Sequence, residues 1–213
     1  MSFIYQTLKD SNNLEFISSA DLLIFSDISD FVFSDSPLRL VLPWWSFDAI
    51  DWVRENHKRF KDAFEWGSGG STIFLGKLCG SLYSIENDST WLNIVSEEIV
   101  QLGLRDVRIE LKILDLSTPN GFKDSEYHCK LSKKYDLIVI DGEDHFGPDS
   151  KWSAREICFE KAECYILKHG AIIVDDSWRY PKIRQSSKAK EILIFRGIGP
   201  SRKGVTSTDI HIY

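Results

Sequence analysis

The residues best able to do chemistry are acids that follow short apolar runs. Phe64-Glu65-Trp66 leads into Gly67-Ser68-Gly69-Gly70-Ser71-Thr72, and Leu82-Tyr83-Ser84-Ile85 ends in Glu86-Asn87. Asp115 follows Val107–Leu114, Asp141 follows Leu137–Ile140, and Asp175-Asp176 follows Ala171–Val174. Glycines in the first of these turns let backbone approach a ligand where a Cβ would collide. An acid ending the next apolar run can accept hydrogen bonds from a ribose diol. Loops are polar anyway, so one such acid means little. An acid after every one of these runs describes one face built to receive a hydroxyl-bearing, nucleoside-like ligand.

The turn itself narrows the ligand. A dinucleotide fingerprint needs glycine at its first, third and sixth positions. Counted from Gly67, the third is Gly69 but the sixth is Thr72. A phosphate-binding P-loop ends in Gly-Lys-Ser/Thr, and no lysine stands there. The segment resembles the first motif of class I S-adenosylmethionine-dependent methyltransferases, acid-x-Gly-x-Gly-x-Gly, with Glu65, Gly67 and Gly69 matching and Ser71 in place of the third glycine. It is similar to the version found in a broad, poorly characterised bacterial-type branch. The resemblance implies S-adenosylmethionine as cofactor, contacted by Glu65, Gly67, Ser68, Gly69, Ser71, Thr72, Glu86, Asn87, Asp115 and Asp141. Glu65 then either organises the glycine turn or meets the cofactor's ammonium through water. Glu86 holds the ribose, and Asp115 meets the adenine amino group.

A more distant resemblance concerns the later acids. In catechol-type and caffeoyl-type O-methyltransferases, an aspartate after the fourth strand and an Asp-Asn pair after the fifth hold a divalent metal that favours deprotonation of the substrate. Here Asp141 stands in the first place and Asp175-Asp176 in the second. The three carboxylates suit magnesium, a hard cation; equally, Asp141 or Asp176 can act as general base without metal, which is the favoured reading. His145 is a further candidate base, or a loop histidine. Asp141, His145 and Asp176 are thus the catalytic candidates. Trp44, Trp45 and Trp178 either line an aromatic pocket or belong to the core. Arg179, Lys182, Arg184, Lys188 and Lys190 are either a solvated basic loop or a receptor for an anionic acceptor.

Certain elements must place these residues. Ser46 reads as an N-cap for a helix from Phe47 to His57. Strands are predicted at Ala63–Trp66, Leu82–Glu86, Val107–Leu114, Leu137–Asp141 and Ala171–Asp175, and helices at Thr72–Cys79, Thr90–Leu102 and Ser150–Leu167. This alternation implies a parallel sheet covered on both faces, and Leu137–Ile140 and Ala171–Val174 are continuously apolar, as doubly buried strands are. Glu191–Phe195 and Thr208–Tyr213 have too short a connection for a helical crossover, so they form an antiparallel pair. The expected fold is α/β: a Rossmann-like, mostly parallel sheet of about seven strands with a C-terminal antiparallel hairpin. One domain is expected over 1–213, with residues 1–45 as an extension.

Composition excludes several classes. The chain has 213 residues, 26 basic and 32 acidic, for a net charge of −6, which argues against general binding of nucleic acid. No run reaches the ~18 apolar residues of a spanning helix, and Met1–Glu15 lacks the pattern of a secretory leader. Cys79, Cys129, Cys158 and Cys164 lack metal-ligand spacing and fit a reducing compartment. The expectation is a cytoplasmic enzyme that methylates an oxygen or nitrogen of a small molecule, aromatic or anionic, without a nucleic-acid or membrane partner. Two rivals stand beside it: a methyltransferase-fold binding protein without catalysis, and a nicotinamide-dependent oxidoreductase.

Overall fold

A computed structural model describes residues 37–145, 150–200 and 205–213. The expected N-terminal extension lies outside these as far as residue 36. The elements are α1 (Pro37–Leu40), α2 (Phe47–Asn56), β1 (Asp62–Trp66), α3 (Gly70–Leu78), β2 (Ser81–Glu86), α4 (Ser89–Gln101) and β3 (Val107–Leu111). They continue with α5 (Pro119–Asp124), α6 (Glu126–Cys129), β4 (Tyr135–Ile140), α7 (Ala154–Tyr165), β5 (Ile166–Val174), α8 (Pro181–Ser186), β6 (Glu191–Gly197) and β7 (Thr206–Ile212).

The seven strands form one sheet in the order β3-β2-β1-β4-β5-β7-β6. β1 to β5 pair in parallel, and β7 runs antiparallel to both β5 and β6. Alternate residues of the central strands enter different cores. Phe64, Trp66, Ile138, Ile140, Ile172 and Val174 pack with Ile157, Cys158 and Phe159 of α7. Ala63, Leu137, Val139, Ala171 and Ile173 pack with Ala49, Ile50 and Val53 of α2 and with Phe74 and Leu75 of α3. Apolar burial on both faces is why these strands show no polar alternation.

Some boundaries differ from expectation. β3 stops at Leu111, and the chain then folds into α5 and α6, capped by Thr118 and Ser125. Helix α7 begins at Ala154 and ends at Tyr165, because Ser153 caps it and β5 starts directly afterwards. Ser46 does precede α2, but its hydroxyl donates to the Phe195 carbonyl at 3.1 Å rather than capping the helix. Its amide donates to Thr208 Oγ1 at 3.1 Å. These two bonds dock the Pro43–Ser46 segment on the terminal hairpin.

Strand order turns back between β1 and β4, so the crevice at a switch point opens beside their carboxyl ends. There Gly67 has φ of 88°, and a Cβ on it would lie 2.6 Å from Gly142 Cα. The two turns touch backbone to backbone.

The tryptophans before α2 divide sharply. Trp45 is fully buried, edge-on to Phe74 with ring centroids 6.3 Å apart, whereas Trp44 is 52% exposed. Trp45 is therefore core and not pocket wall. We predict that Trp45→Ala destabilises the fold by about 3–5 kcal/mol, and Trp44→Ala by no more than about 0.5 kcal/mol. Urea unfolding followed by circular dichroism measures both. Equal shifts would show that Trp45 does not anchor the segment.

Candidate functional site

The glycine turn stands on Glu65. This side chain is fully buried at the end of β1. Its Oε2 accepts hydrogen bonds from Thr72 Oγ1 at 2.6 Å and Ser84 Oγ at 2.7 Å. Thr72 Oγ1 in turn accepts the Gly69 amide at 2.8 Å. The acid thus reaches the turn through one hydroxyl and fixes where α3 begins. Of the two roles open to it, the contacts carry that of turn organiser. Glu65 Oε1 is buried without a hydrogen-bond partner. Burial pushes its carboxyl up to about 7, the nearby Glu86 charge adds to this, and the hydroxyl bonds oppose it. Ser71 and Thr72 lie buried in the first turn of α3.

Glu86 ends β2 and is only 6% exposed. Its Oε2 accepts from the Ser68 amide at 3.0 Å and the Ser68 hydroxyl at 2.9 Å. Its Oε1 accepts from the Asn87 and Asp88 amides at 2.7 and 2.9 Å. The carboxylate therefore ties the β1 and β2 exits together. Asn87 Nδ2 donates to Glu143 Oε2 at 2.7 Å, linking the β2 and β4 exits. Asp115 accepts from its own turn: the Ser117 side chain first, and the Ser117 amide 2.8 Å away, hold its carboxyl below the usual range. It sits four residues beyond β3, beside Gly121.

The exits of β4 and β5 are joined by Arg155, which the sequence reading missed. Its guanidinium donates to the carbonyls of Gly142, Asp175 and Asp141 at 2.8, 2.9 and 3.1 Å and lies 3.3 Å from Asp141 Oδ1. Burial opposes its charge, but Asp141 and the other nearby acids keep it protonated. Asp175 and Asp176 are buried. They accept from Thr208 and Thr206 of β7 at 2.8 Å each, and Asp176 also pairs with Arg179 at 3.3 Å. Among the described residues no three His, Cys, Asp or Glu side chains form a metal-holding group. The three carboxylates that would suit magnesium, the reading not favoured, are engaged by Arg155, Arg179 and the β7 threonines.

His145 has other partners. It is exposed, 2.8 Å from Ser150 Oγ through Nδ1, and its ring stacks on Trp152 at 5.0 Å. None of its described contacts is with Asp141 or Asp176. Neighbouring Asp144 caps α7 through Ser153 and the Ala154 amide. The basic run is largely paired: Arg179 with Asp176, Lys182 with Glu156, Arg184 with Asp209 and Lys188 with Glu163. Lys182 and Lys188 nevertheless stay largely exposed, at 72% and 77%. Trp178 is half-buried beneath the Arg179 guanidinium, 5.1 Å from its ring centre.

Two further residues were not singled out. Trp91 Nε1 donates to the Ser68 carbonyl at 2.8 Å and so lies along the glycine turn. Tyr127 is buried with its hydroxyl unpartnered against Gly142. A tryptophan three residues after the Asp88 cap was a readable sign of the first; nothing in the sequence marked the second.

No family model matches the chain, and no curated protein does. Solved structures do. An O-methyltransferase from Bacillus cereus in complex with SAH aligns with a TM-score of 0.59 at 19% identity, over 89% of this chain and 96% of that one. A precorrin-6y C5,15-methyltransferase from Geobacter metallireducens GS-15 aligns at 0.51 and 11%, over 77% and 87%. An rRNA methylase from Streptococcus thermophilus aligns at 0.52 and 8%, over 78% and 93%. The fold is that of class I methyltransferases.

Glu65 generates a pH prediction together with His211, which is fully buried on β7 and which burial lowers to about 4. Glu65, raised from 4.5 to about 7, contributes stability that is complete below pH 4.5 and lost as pH rises through 7. His211, lowered from 6.5, contributes stability that is complete above pH 6.5 and lost as pH falls through 4. The two slopes oppose each other between about 4.5 and 6.5. We predict that Glu65→Gln, which keeps an oxygen for Thr72 and Ser84, gains up to about 3 kcal/mol over wild type between pH 4.5 and 8. It should also uncover a steep loss of stability below pH 6.5. Urea midpoints across pH test this, and a constant difference between the two proteins would sink it.

Proposed function

We propose that this protein is an S-adenosylmethionine-dependent methyltransferase acting on an oxygen or nitrogen of a small molecule. The reading is carried by one arrangement: the Gly67 turn packed against Gly142 at the switch point, with the Glu86 carboxylate at the adjoining exit. The residues fit such a cofactor. Backbone at Gly67 and Gly69 is bare of side chain, Glu86 can accept from a ribose hydroxyl, and Glu65 holds the turn from beneath. Asn87, Asp115 and Asp141 border the same edge of the sheet. When bound, the cofactor supplies an electrophilic methyl group on a sulfonium sulfur.

The chain's own contribution would be alignment. Asp141 is held by Arg155 and Asp176 by Arg179. Each carboxylate so placed would accept a hydrogen bond from an incoming hydroxyl or amine and so orient it. Orienting that nucleophile is where most of the rate enhancement would arise. A net charge of −6 and a mostly paired basic run favour a small acceptor over a nucleic acid.

One observation favours a second reading. Asp141, Asp175 and Asp176 are all held by internal partners, which suits a domain that binds the cofactor without catalysis. Calorimetric titration addresses what the two readings share. Wild type should bind S-adenosylhomocysteine and not NAD. Glu86→Gln should weaken that binding by about 10- to 100-fold, the worth of a hydrogen bond to a charged group. Tight NAD binding with no response to S-adenosylhomocysteine would overturn both readings.

A further inference from the structure

Glu86 has no vacancy for a diol. A carboxylate offers about four lone-pair sites, and four donors already use them. The donors are not equivalent. Those on Oε1 are consecutive amides of the β2 exit itself, Asn87 and Asp88, and cannot leave without unmaking that turn. Those on Oε2 both belong to Ser68. The Ser68 amide is fixed on either side. Its carbonyl receives the Trp91 indole at 2.8 Å, and the preceding Gly67 amide donates to Ile85 at 2.9 Å while Gly67 itself rests on Gly142. Among the described residues the Ser68 hydroxyl is held by Glu86 alone, and it turns about one side-chain torsion.

We propose that the Ser68 hydroxyl stands in for a ligand hydroxyl on Glu86 and is displaced when the ligand binds. Glu86 then receives one hydroxyl of a ribose and not two. Ser68 is a competitor for the site and a gauge of its specificity, not a ligand contact. The inference rests on the cofactor reading above and goes beyond it: it divides the two ribose hydroxyls into one that is required and one that is tolerated.

Two titrations test it. Removing the competitor should help binding, so Ser68→Ala should take up S-adenosylhomocysteine about 3- to 10-fold more tightly than wild type, by the net worth of the hydrogen bond released. Ser68→Thr, which keeps the hydroxyl, should stay within about twofold of wild type on the same scale. The second titration needs no variant. Against wild type, one of the 2′-deoxy and 3′-deoxy analogues of S-adenosylhomocysteine should lose at least about tenfold and the other less than about threefold. If wild type binds S-adenosylhomocysteine but Ser68→Ala binds it equally or more weakly, or the two analogues lose alike, the displacement is wrong and the cofactor reading stands. If neither protein binds it, both fall.

Discussion

The site depends on two glycines in contact. With Gly67 at φ of 88° and pressed on Gly142, the β1 and β4 exits meet without any side chain between them. Gly142 is constrained from its other side too, because a Cβ there would collide with the Tyr127 hydroxyl. Trp66 Nε1 fixes Tyr127 in turn by donating to its carbonyl at 3.1 Å. One crowded junction thus sets the floor of the crevice, and a methyl group at either glycine would lift the turn that carries Ser68. Left-handed backbone at Gly67 adds strain for any other residue.

Around that junction the chain solves an electrostatic problem. Parallel strands place all their carboxyl ends on one edge, and here the exits also carry acids. Repulsion is relieved in two ways. Arginines from outside the sheet, Arg155 and Arg179, meet Asp141 and Asp176. Hydroxyls of β7 satisfy Asp175 and Asp176. A fourth acid, Asp209, is buried on β7 and joined to Arg184 at 2.5 Å and to Ser177 at 2.7 Å. Buried charges of this kind are tolerable only when paired and hydrogen-bonded. The terminal hairpin therefore serves the crevice as well as closing the sheet, and through Thr208 it also fastens the Pro43–Ser46 segment.

Much of this was legible in the residues. The alternation of strands and helices and the terminal hairpin followed from the spacing of apolar runs, since doubly buried strands leave an unbroken signature. The acids at the exits were visible because strand ends are easy to find. What the acids touch was not visible. Arg155 reads as an ordinary helical residue until α7 is seen to start at Ala154, which brings its guanidinium to three carbonyls. Thr206 and Thr208 gave a usable clue: polar residues within a strand that must lie inside a sheet need partners, and the acids of β5 were the nearest. Ion pairing of the basic run was hidden, because Glu156, Glu163 and Asp209 come from two other elements.

The place of β7 bears on how the protein is made. The hairpin threads its second strand, not its first, between β5 and β6. During synthesis β5 leaves the ribosome long before the strand that will cover it. Until Thr206–Ile212 has emerged, Ala171–Val174 presents an unpaired row of amides and carbonyls flanked by apolar side chains. Such an edge invites pairing with the same strand of another nascent chain. The interval has a length set by the fold: α8 and the link after β6 bring β7 home within a few tens of residues, and any insertion there would lengthen the time for which β5 stays open to strangers.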